Sequence, residues 1–71
     1  MKYSIPLYIQ LHNSILDKIE SGYYIPGQML DSERSMASEY GVNRETVKKA
    51  LTLLEKDGYI ERIQGKGTFV S

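Results

Sequence analysis

A linker of only three residues, Gly41-Val42-Asn43, separates two segments whose apolar residues repeat with helical spacing. A connection this short, with glycine in it, holds two helices at a steep angle and is typical of a helix-turn-helix. The chain has 71 residues, enough for one small domain. The linker therefore predicts a single domain organised around a helix-turn-helix.

Three helices follow from the spacing of the apolar residues, at residues 6–21, 32–40 and 44–56. Pro6 suits a first turn, where no amide donor is needed, and Gly22 suits the position after a last turn. Ser32 and Asn43 are good N-cap residues for the second and third helices, because their side chains accept a hydrogen bond from a backbone amide. Gly41 is expected to end the second helix.

The C-terminal part of the chain changes to β-forming residues. Tyr59–Ile63 and Thr68–Ser71 are separated by Gln64-Gly65-Lys66-Gly67, which predicts a hairpin with a glycine-rich tip. Earlier in the chain, Pro26-Gly27 predicts a turn, and Met29-Leu30 could form a very short strand.

The predicted fold class is mainly α with a small β-hairpin (α+β), a winged helix-turn-helix of three helices and a C-terminal wing. The domain is expected to cover residues 4–71, with the helix-turn-helix at about 32–51 and the wing at about 59–71.

Composition weighs against several classes of function. The absence of cysteine excludes disulfides and thiolate metal sites and fits a reducing cytoplasm. There is no apolar run of about 18 residues, so no membrane segment is predicted. His12 is the only histidine and has no partner motif, and Gly65-Lys66-Gly67 lacks the upstream glycine of a phosphate-binding loop. The sequence therefore predicts no enzyme activity, no metal and no cofactor.

The third predicted helix has the residues of a DNA recognition helix. Its core stripe is Val47, Ala50, Leu51 and Leu54. Arg44, Glu45 and Lys48 fall outside this stripe, near the helix N-terminus, which in such motifs meets the bases of the major groove. Arg44 could bind guanine, Lys48 could bind guanine or a phosphate, and Glu45 could accept from cytosine. Alternatively, they are solvated charges, and Glu45 pairs with Lys49 four residues on.

Two further sets of residues suit DNA contact. Asn43 and Thr46 have short polar side chains that can reach phosphate or base edges, although Asn43 could equally serve only as a cap. At the hairpin tip, glycines allow close approach to DNA and a lysine and a threonine supply polar groups, or the glycines serve only the turn geometry. These tip residues are Gly65, Lys66, Gly67 and Thr68.

Several spaced blocks of the sequence occur in a characteristic order, and they are Pro6-Leu7-Tyr8, Pro26-Gly27, Ser32-Glu33-Arg34, Tyr40 to Leu51, Leu54 to Ile60 and Gln64 to Val70. Together these blocks resemble the GntR family of bacterial transcription regulators. The resemblance covers nearly the whole chain and implies an N-terminal winged-helix domain that binds double-stranded operator DNA.

The resemblance also implies roles for individual residues. Arg34 would contact DNA from the start of the second helix, Arg44 would be a main base reader, and Lys48 would assist it one turn later. Gly65, Lys66 and Thr68 would lie against the minor groove. The sequence departs from the family pattern at Asp31, where proline is usual, and at Lys48, where arginine is more frequent.

The resemblance further implies a cytoplasmic repressor that binds a palindromic operator as a homodimer. Family members carry a C-terminal domain that binds a small-molecule effector, and this domain is expected to be absent from the chain. The sequence opening also occurs in regulators with a sugar-binding type of effector domain, so an arabinose-type repressor is one alternative.

Net charge bears on a rival function. The chain has 9 basic and 9 acidic residues, whereas nucleic-acid-binding domains are usually basic. This favours the alternative of a winged helix that binds protein and not DNA. A polarised distribution would reconcile zero net charge with DNA binding. The cations expected on the DNA side are Arg34, Arg44, Lys48, Lys49, Arg62 and Lys66, and the acids expected elsewhere are Asp17, Glu20, Glu39, Glu55 and Asp57.

Overall fold

The helices and strands follow one another in the predicted order. A computed structural model describes residues 4–71 of the chain. It contains α1 (Leu7–Glu20), α2 (Glu33–Tyr40), α3 (Arg44–Lys56), β1 (Ile60–Ile63) and β2 (Gly67–Val70). Within these described residues, no helix has the length and apolar character needed to span a bilayer.

The ends of α2 and α3 are set by the expected capping residues. The Ser32 hydroxyl accepts from the backbone N–H of Ser35 at 3.1 Å, which fixes the start of α2. Gly41 ends α2 with φ of +69°, a left-handed conformation that costs glycine little. This chain reversal lets α3 begin three residues later, at an angle to α2. The helix-turn-helix is therefore confirmed.

The first helix is one residue shorter at each end than predicted. Pro6 is the N-cap of α1 and not its first helical residue, and Ser21 is its C-cap. Of the predicted apolar face, Leu11 and Ile15 are buried, whereas Tyr8 and Ile19 are half-buried.

The core lies where the three helices meet the base of the hairpin. All four residues of the predicted α3 stripe are fully buried: Val47, Ala50, Leu51 and Leu54. Ile60 and Val70 pair across the hairpin and are also buried. The base of the wing is thus part of the hydrophobic core, and its tip extends away from it.

The segment before α2 pairs with the hairpin through a single β-bridge. The Pro26-Gly27 turn is closed by a 3.0 Å bond from the Gln28 N–H to the Ile25 carbonyl, and Gly27 has the expected positive φ. Met29 then bridges antiparallel to Phe69, and the Leu30 N–H donates to the Thr68 carbonyl at 2.8 Å. In place of the short strand predicted at Met29-Leu30, the structure has a single bridge from Met29 to β2.

A lysine surrounded by tyrosines ties α1 to α2. Lys18 Nζ donates to the Tyr40 hydroxyl at 2.8 Å and lies 5.1 to 5.6 Å from the ring centroids of Tyr23, Tyr24 and Tyr40. The hydrogen bond to Tyr40 raises the pKa of Lys18. Burial raises the pKa of Tyr24. This cluster steadies the end of α2 that leads into the turn.

Candidate nucleic-acid interface

The N-terminal half of α3 presents two open cations. Arg44 and Lys48 are exposed, lie one turn apart, and form no ion pair within residues 4–71. Glu45 is also exposed next to them. Because the opposite side of α3 is buried in the core, these charges stand on the side that is free to enter a groove.

The alternative pairing of Glu45 with Lys49 is wrong. Within the described part of the chain the structure has no ion pair between these two side chains. Lys49 Nζ instead lies 5.8 Å from the centroid of the Tyr8 ring, a cation–π contact between α3 and α1. Glu45 is therefore left open beside Arg44, and Lys49 is partly engaged with α1.

The Asn43 side chain caps α3. Its Oδ1 accepts from the Thr46 backbone N–H at 2.8 Å and from the Thr46 hydroxyl at 2.9 Å. The two predicted contact residues thus bind each other. The cap leaves the amide nitrogen of Asn43 as its polar group for other partners, while Thr46 is half-buried.

Arg34 is the second residue of α2 and is exposed. It follows Glu33 in the first turn, directly after the Ser32 cap. Arg34 forms no ion pair in the portion of the chain that the structure describes. Its charge is therefore as open as those of Arg44 and Lys48.

The wing tip is a tight turn with an exposed lysine. The Lys66 N–H donates to the Ile63 carbonyl at 2.9 Å, and Gly65 has φ of +79°, as the third residue of a type II turn requires. Gly67 has φ of +132° and is the first residue of β2. The positive φ angles at both positions favour glycine because of the turn geometry itself. The turn leaves Lys66 exposed at the tip.

Thr68 differs from the other wing residues. It is half-buried and pairs with Arg62 across the hairpin, so the two side chains share one face of the sheet. Arg62 reaches from that face to α3. Thr68 thus lies on the side of the wing that faces the helices.

Arg62 is not an open cation. Its Nε lies 3.2 Å from Glu55 Oε1, its Nη1 lies 3.6 Å from Glu33 Oε2, and its Nη2 donates to the Thr52 hydroxyl. Arg62 lies beside α2 and α3, on the side expected for DNA, but two carboxylates meet its charge. Glu55, expected elsewhere, in fact lies beside the wing.

This cluster of Arg62, Glu33, Thr52 and Glu55 was missed by sequence reasoning. Glu55 and Thr52 precede Arg62 by 7 and 10 residues, and the chain changes from helix to strand between them. No helical or strand period relates such positions. One signal was available in the sequence. Side chains alternate between the two faces of a strand, so Arg62, two residues after buried Ile60, points inward toward the helices.

Comparison with known families identifies the domain. The family described as "Bacterial regulatory proteins, gntR family" matches residues 7–70. The chain belongs to the GntR family. It has the winged-helix fold of GntR DNA-binding domains, with three helices and an antiparallel two-stranded wing.

Curated GntR-type relatives are transcription regulators. The chain is 49% identical over 67 residues to the uncharacterized HTH-type transcriptional regulator YurK of Bacillus subtilis, covering 94% of this chain and 28% of YurK. It is 43% identical over 68 residues to the arabinose metabolism transcriptional repressor of Geobacillus stearothermophilus, covering 96% of this chain and 19% of the repressor. The chain thus spans between about a fifth and just over a quarter of the length of these relatives.

Solved structures of GntR-type domains superimpose closely. The DNA-binding domain of AraR in complex with operator ORR3 matches with a TM-score of 0.94 and 32% identity, covering 100% of this chain and 86% of that one. A GntR family regulator from Listeria monocytogenes matches with a TM-score of 0.92 and 31% identity, covering 100% of this chain and 62% of that one.

Proposed function

We propose that this GntR domain binds operator DNA sequence-specifically, with α3 in a major groove and the wing in the adjacent minor groove. The main observation behind this proposal is that Arg44 and Lys48 are exposed on α3, while the opposite side of the helix is fully buried. The major groove is about 12 Å wide and admits one such helix. The close match to the operator-bound AraR domain supports this assignment.

Base reading is assigned to the start of α3. Arg44 has a planar guanidinium that can donate to guanine O6 and N7 together. Lys48 supplies a point charge one turn later, suited to guanine or a phosphate. Glu45 stands unpaired between them in sequence and can accept from cytosine N4, which would help set the preferred operator.

Phosphate binding is assigned to the flanking elements. Arg34 approaches the backbone from the first turn of α2, and Asn43 and Thr46 stand at the N-terminus of α3, where the helix dipole favours anions. In the wing, Lys66 reaches the minor groove, and the glycines at 65 and 67 let the backbone approach. Thr68 then acts from the inner face of the wing, where it pairs with Arg62.

The full regulator is proposed to act as a cytoplasmic, metabolite-responsive repressor. The relatives are about three to five times as long as the matched segment, which supports a further domain for effector binding and dimerisation. Two copies would place two recognition helices on a palindromic operator, and the effector would change their spacing. The name of the arabinose metabolism repressor supports a sugar-type effector.

A selection experiment followed by a salt titration tests this function. The purified domain is used to select duplexes from a pool of random sequences, and the affinity for the enriched duplex is measured from low to high salt. Enrichment of a defined motif, with affinity that falls steeply as salt rises, is the expected result, because bound phosphates release counterions. A scrambled duplex of equal length is the control.

Two results would contradict the proposal. One is the absence of any enriched motif. The other is an affinity for duplex DNA that does not change with salt, which would favour the alternative of a winged helix that binds protein.

A further inference from the structure

Arg62 joins the three elements that carry the candidate DNA residues. It belongs to β1 of the wing, and its guanidinium contacts Glu33 in the first turn of α2 and both Thr52 and Glu55 on α3. The Arg62 backbone N–H also faces the Glu55 carboxylate, at 3.4 Å from Oε2. Within the domain, Nη2 thus donates a hydrogen bond to Thr52, whereas Nε and Nη1 lie at ion-pair distance from two carboxylates and the buried Nε forms no hydrogen bond.

Two of the three partners of Arg62, Glu33 and Thr52, are linked to candidate DNA residues. Glu33 directly precedes Arg34. The Thr52 hydroxyl, which accepts from Arg62, itself donates to the Lys48 carbonyl at 2.8 Å. The cluster therefore connects the wing to the backbone of α3 at the position of Lys48 and to α2 at the position of Arg34.

Arg62 lies partway along the wing, where its contacts can hold the part of the hairpin that extends beyond the core. The base of the hairpin is held in the core by Ile60 and Val70, whose exposed fractions are 2% and 3%. Arg62 and Thr68 form the next inward-facing pair toward the tip. A hairpin with strands of four residues is marginal without packing against another element. Arg62 accordingly contacts the helices from a position nearer to the Gly65-Lys66 tip than the buried Ile60–Val70 pair.

We propose that Arg62 is a positioning residue that fixes the wing relative to α2 and α3, so that both grooves can be contacted at once. This inference rests on the proposed DNA-binding function. Arg62 contributes through its partners Glu33, Thr52 and Glu55 and does not itself bind DNA. Its side chain is 25% exposed and its charge is met by two carboxylates, unlike that of Arg34, Arg44, Lys48 or Lys66.

The direction in which DNA affinity changes when negative charge is removed distinguishes a positioning role of Arg62 from direct contact with DNA. The double variant Glu33→Gln/Glu55→Gln removes two negative charges. If Arg62 were a phosphate ligand, this change would free it and strengthen DNA binding. If Arg62 positions the wing, the same change loosens the wing and weakens binding, against the electrostatic trend.

The experiment measures affinity for the selected duplex together with the orientation of the wing in the free domain. We expect Arg62→Gln and Glu33→Gln/Glu55→Gln each to weaken binding roughly fivefold. Residual dipolar couplings of amides 64–68 should change relative to those of α3 in both variants. The matched control Glu20→Gln/Glu61→Gln removes the same charge from exposed residues outside the cluster and should bind at least as tightly as the wild type.

The outcomes distinguish this inference from the proposed function. If the wild-type domain selects no duplex, the proposed function fails. If the wild type binds and Arg44→Ala loses affinity, DNA binding by α3 stands. In that case, Glu33→Gln/Glu55→Gln binding as tightly as its control, or unchanged wing orientation in Arg62→Gln, overturns the positioning role.

Discussion

The side-chain oxygen of Asn43 lies 2.8 Å from the backbone nitrogen of Thr46 and 2.9 Å from its hydroxyl oxygen. This one acceptor satisfies a free amide at the start of α3 and orients the Thr46 side chain. The N-terminus of the proposed recognition helix therefore depends on Asn43 for its structure, independently of any DNA contact.

Asn43→Ala should destabilise the domain. The loss of an N-cap costs about 0.5–2 kcal/mol, because the amide of Thr46 would lose its partner. Urea unfolding followed by circular dichroism measures the change in the free energy of unfolding. Asn43→Ser is the control, since serine caps about as well as asparagine. Equal stability of the alanine and serine variants would contradict this expectation.

Asn43→Asp should separate stability from DNA binding. Aspartate caps as well as asparagine, and its charge suits a helix N-terminus, so the free energy of unfolding should stay the same or rise. The same charge would face phosphates and weaken DNA binding several-fold at low salt. Unfolding and binding are measured on the same preparation. Wild-type affinity in Asn43→Asp would place Asn43 away from DNA.

Arg44→Ala and Lys66→Ala should affect DNA binding in different ways. Removal of Arg44 should cost roughly 1–3 kcal/mol and relax base preference at one position, since a guanine contact is lost. Removal of Lys66 should weaken binding to all duplexes alike and reduce the salt slope by about one. Affinities for the selected duplex and its single-base variants, over a range of salt concentrations, measure both effects.

Lys56→Ala serves as the control for these two variants. Lys56 is an exposed cation at the last position of α3, three turns from Arg44. It should change base preference little. An Arg44→Ala domain that keeps both affinity and preference at matched salt would mean that α3 is not the recognition helix.

The parts of the fold that were predicted correctly are those set by local signals. Ser32, Asn43 and Gly41 each define a helix end through bonds or φ angles within a few residues. The apolar spacing in α3 identifies its buried side directly. The wing was recognised because β-forming residues flank a glycine-rich tip.

The parts that were missed depend on contacts between distant positions. Lys49 does not pair with Glu45 but lies 5.8 Å from the ring of Tyr8, which belongs to a different helix. Whether Arg62 is an open charge is decided by Glu33 and Glu55, on two further elements. The zero net charge therefore says little by itself about DNA binding, because exposed cations and ion-paired cations differ only in their tertiary surroundings.

Gly67→Ala should destabilise the wing more than Gly65→Ala. Gly67 has φ of +132°, and a Cβ there would lie 3.1 Å from Met29 Sδ, whereas a Cβ on Gly65 would meet no atom within 4 Å. We expect a loss of roughly 1–2 kcal/mol for Gly65→Ala and up to about 3 kcal/mol for Gly67→Ala. Thermal unfolding measures both, at about 4–8 °C per kcal/mol for a domain of this size.

The contact with Met29 can be isolated with a double-mutant cycle. Met29→Ala removes the atom that crowds a new Cβ, so it should cost less in the Gly67→Ala background than in the wild type. Additive losses for the two changes would show that backbone strain alone accounts for the effect at Gly67.

Stability should fall in alkaline solution through the Lys18 cluster. The hydrogen bond from Lys18 to Tyr40 raises the pKa of Lys18, and burial raises the pKa of Tyr24. In both cases the folded state holds its proton more tightly than the unfolded state. The resulting stabilisation is complete below the pKa values of the unfolded state, which are about 10. It is lost as the pH rises through the higher pKa values of the folded state.

Tyr24→Phe tests this origin of the alkaline loss. The variant keeps the ring beside Lys18 but has no titrating hydroxyl, so its free energy of unfolding should decline less between about pH 9 and 11. Some decline should remain, because Lys18 still titrates. Tyr23→Phe is the control, since Tyr23 is 71% exposed and should keep the wild-type decline. An alkaline decline in Tyr24→Phe equal to that of the wild type would exclude Tyr24 as a cause.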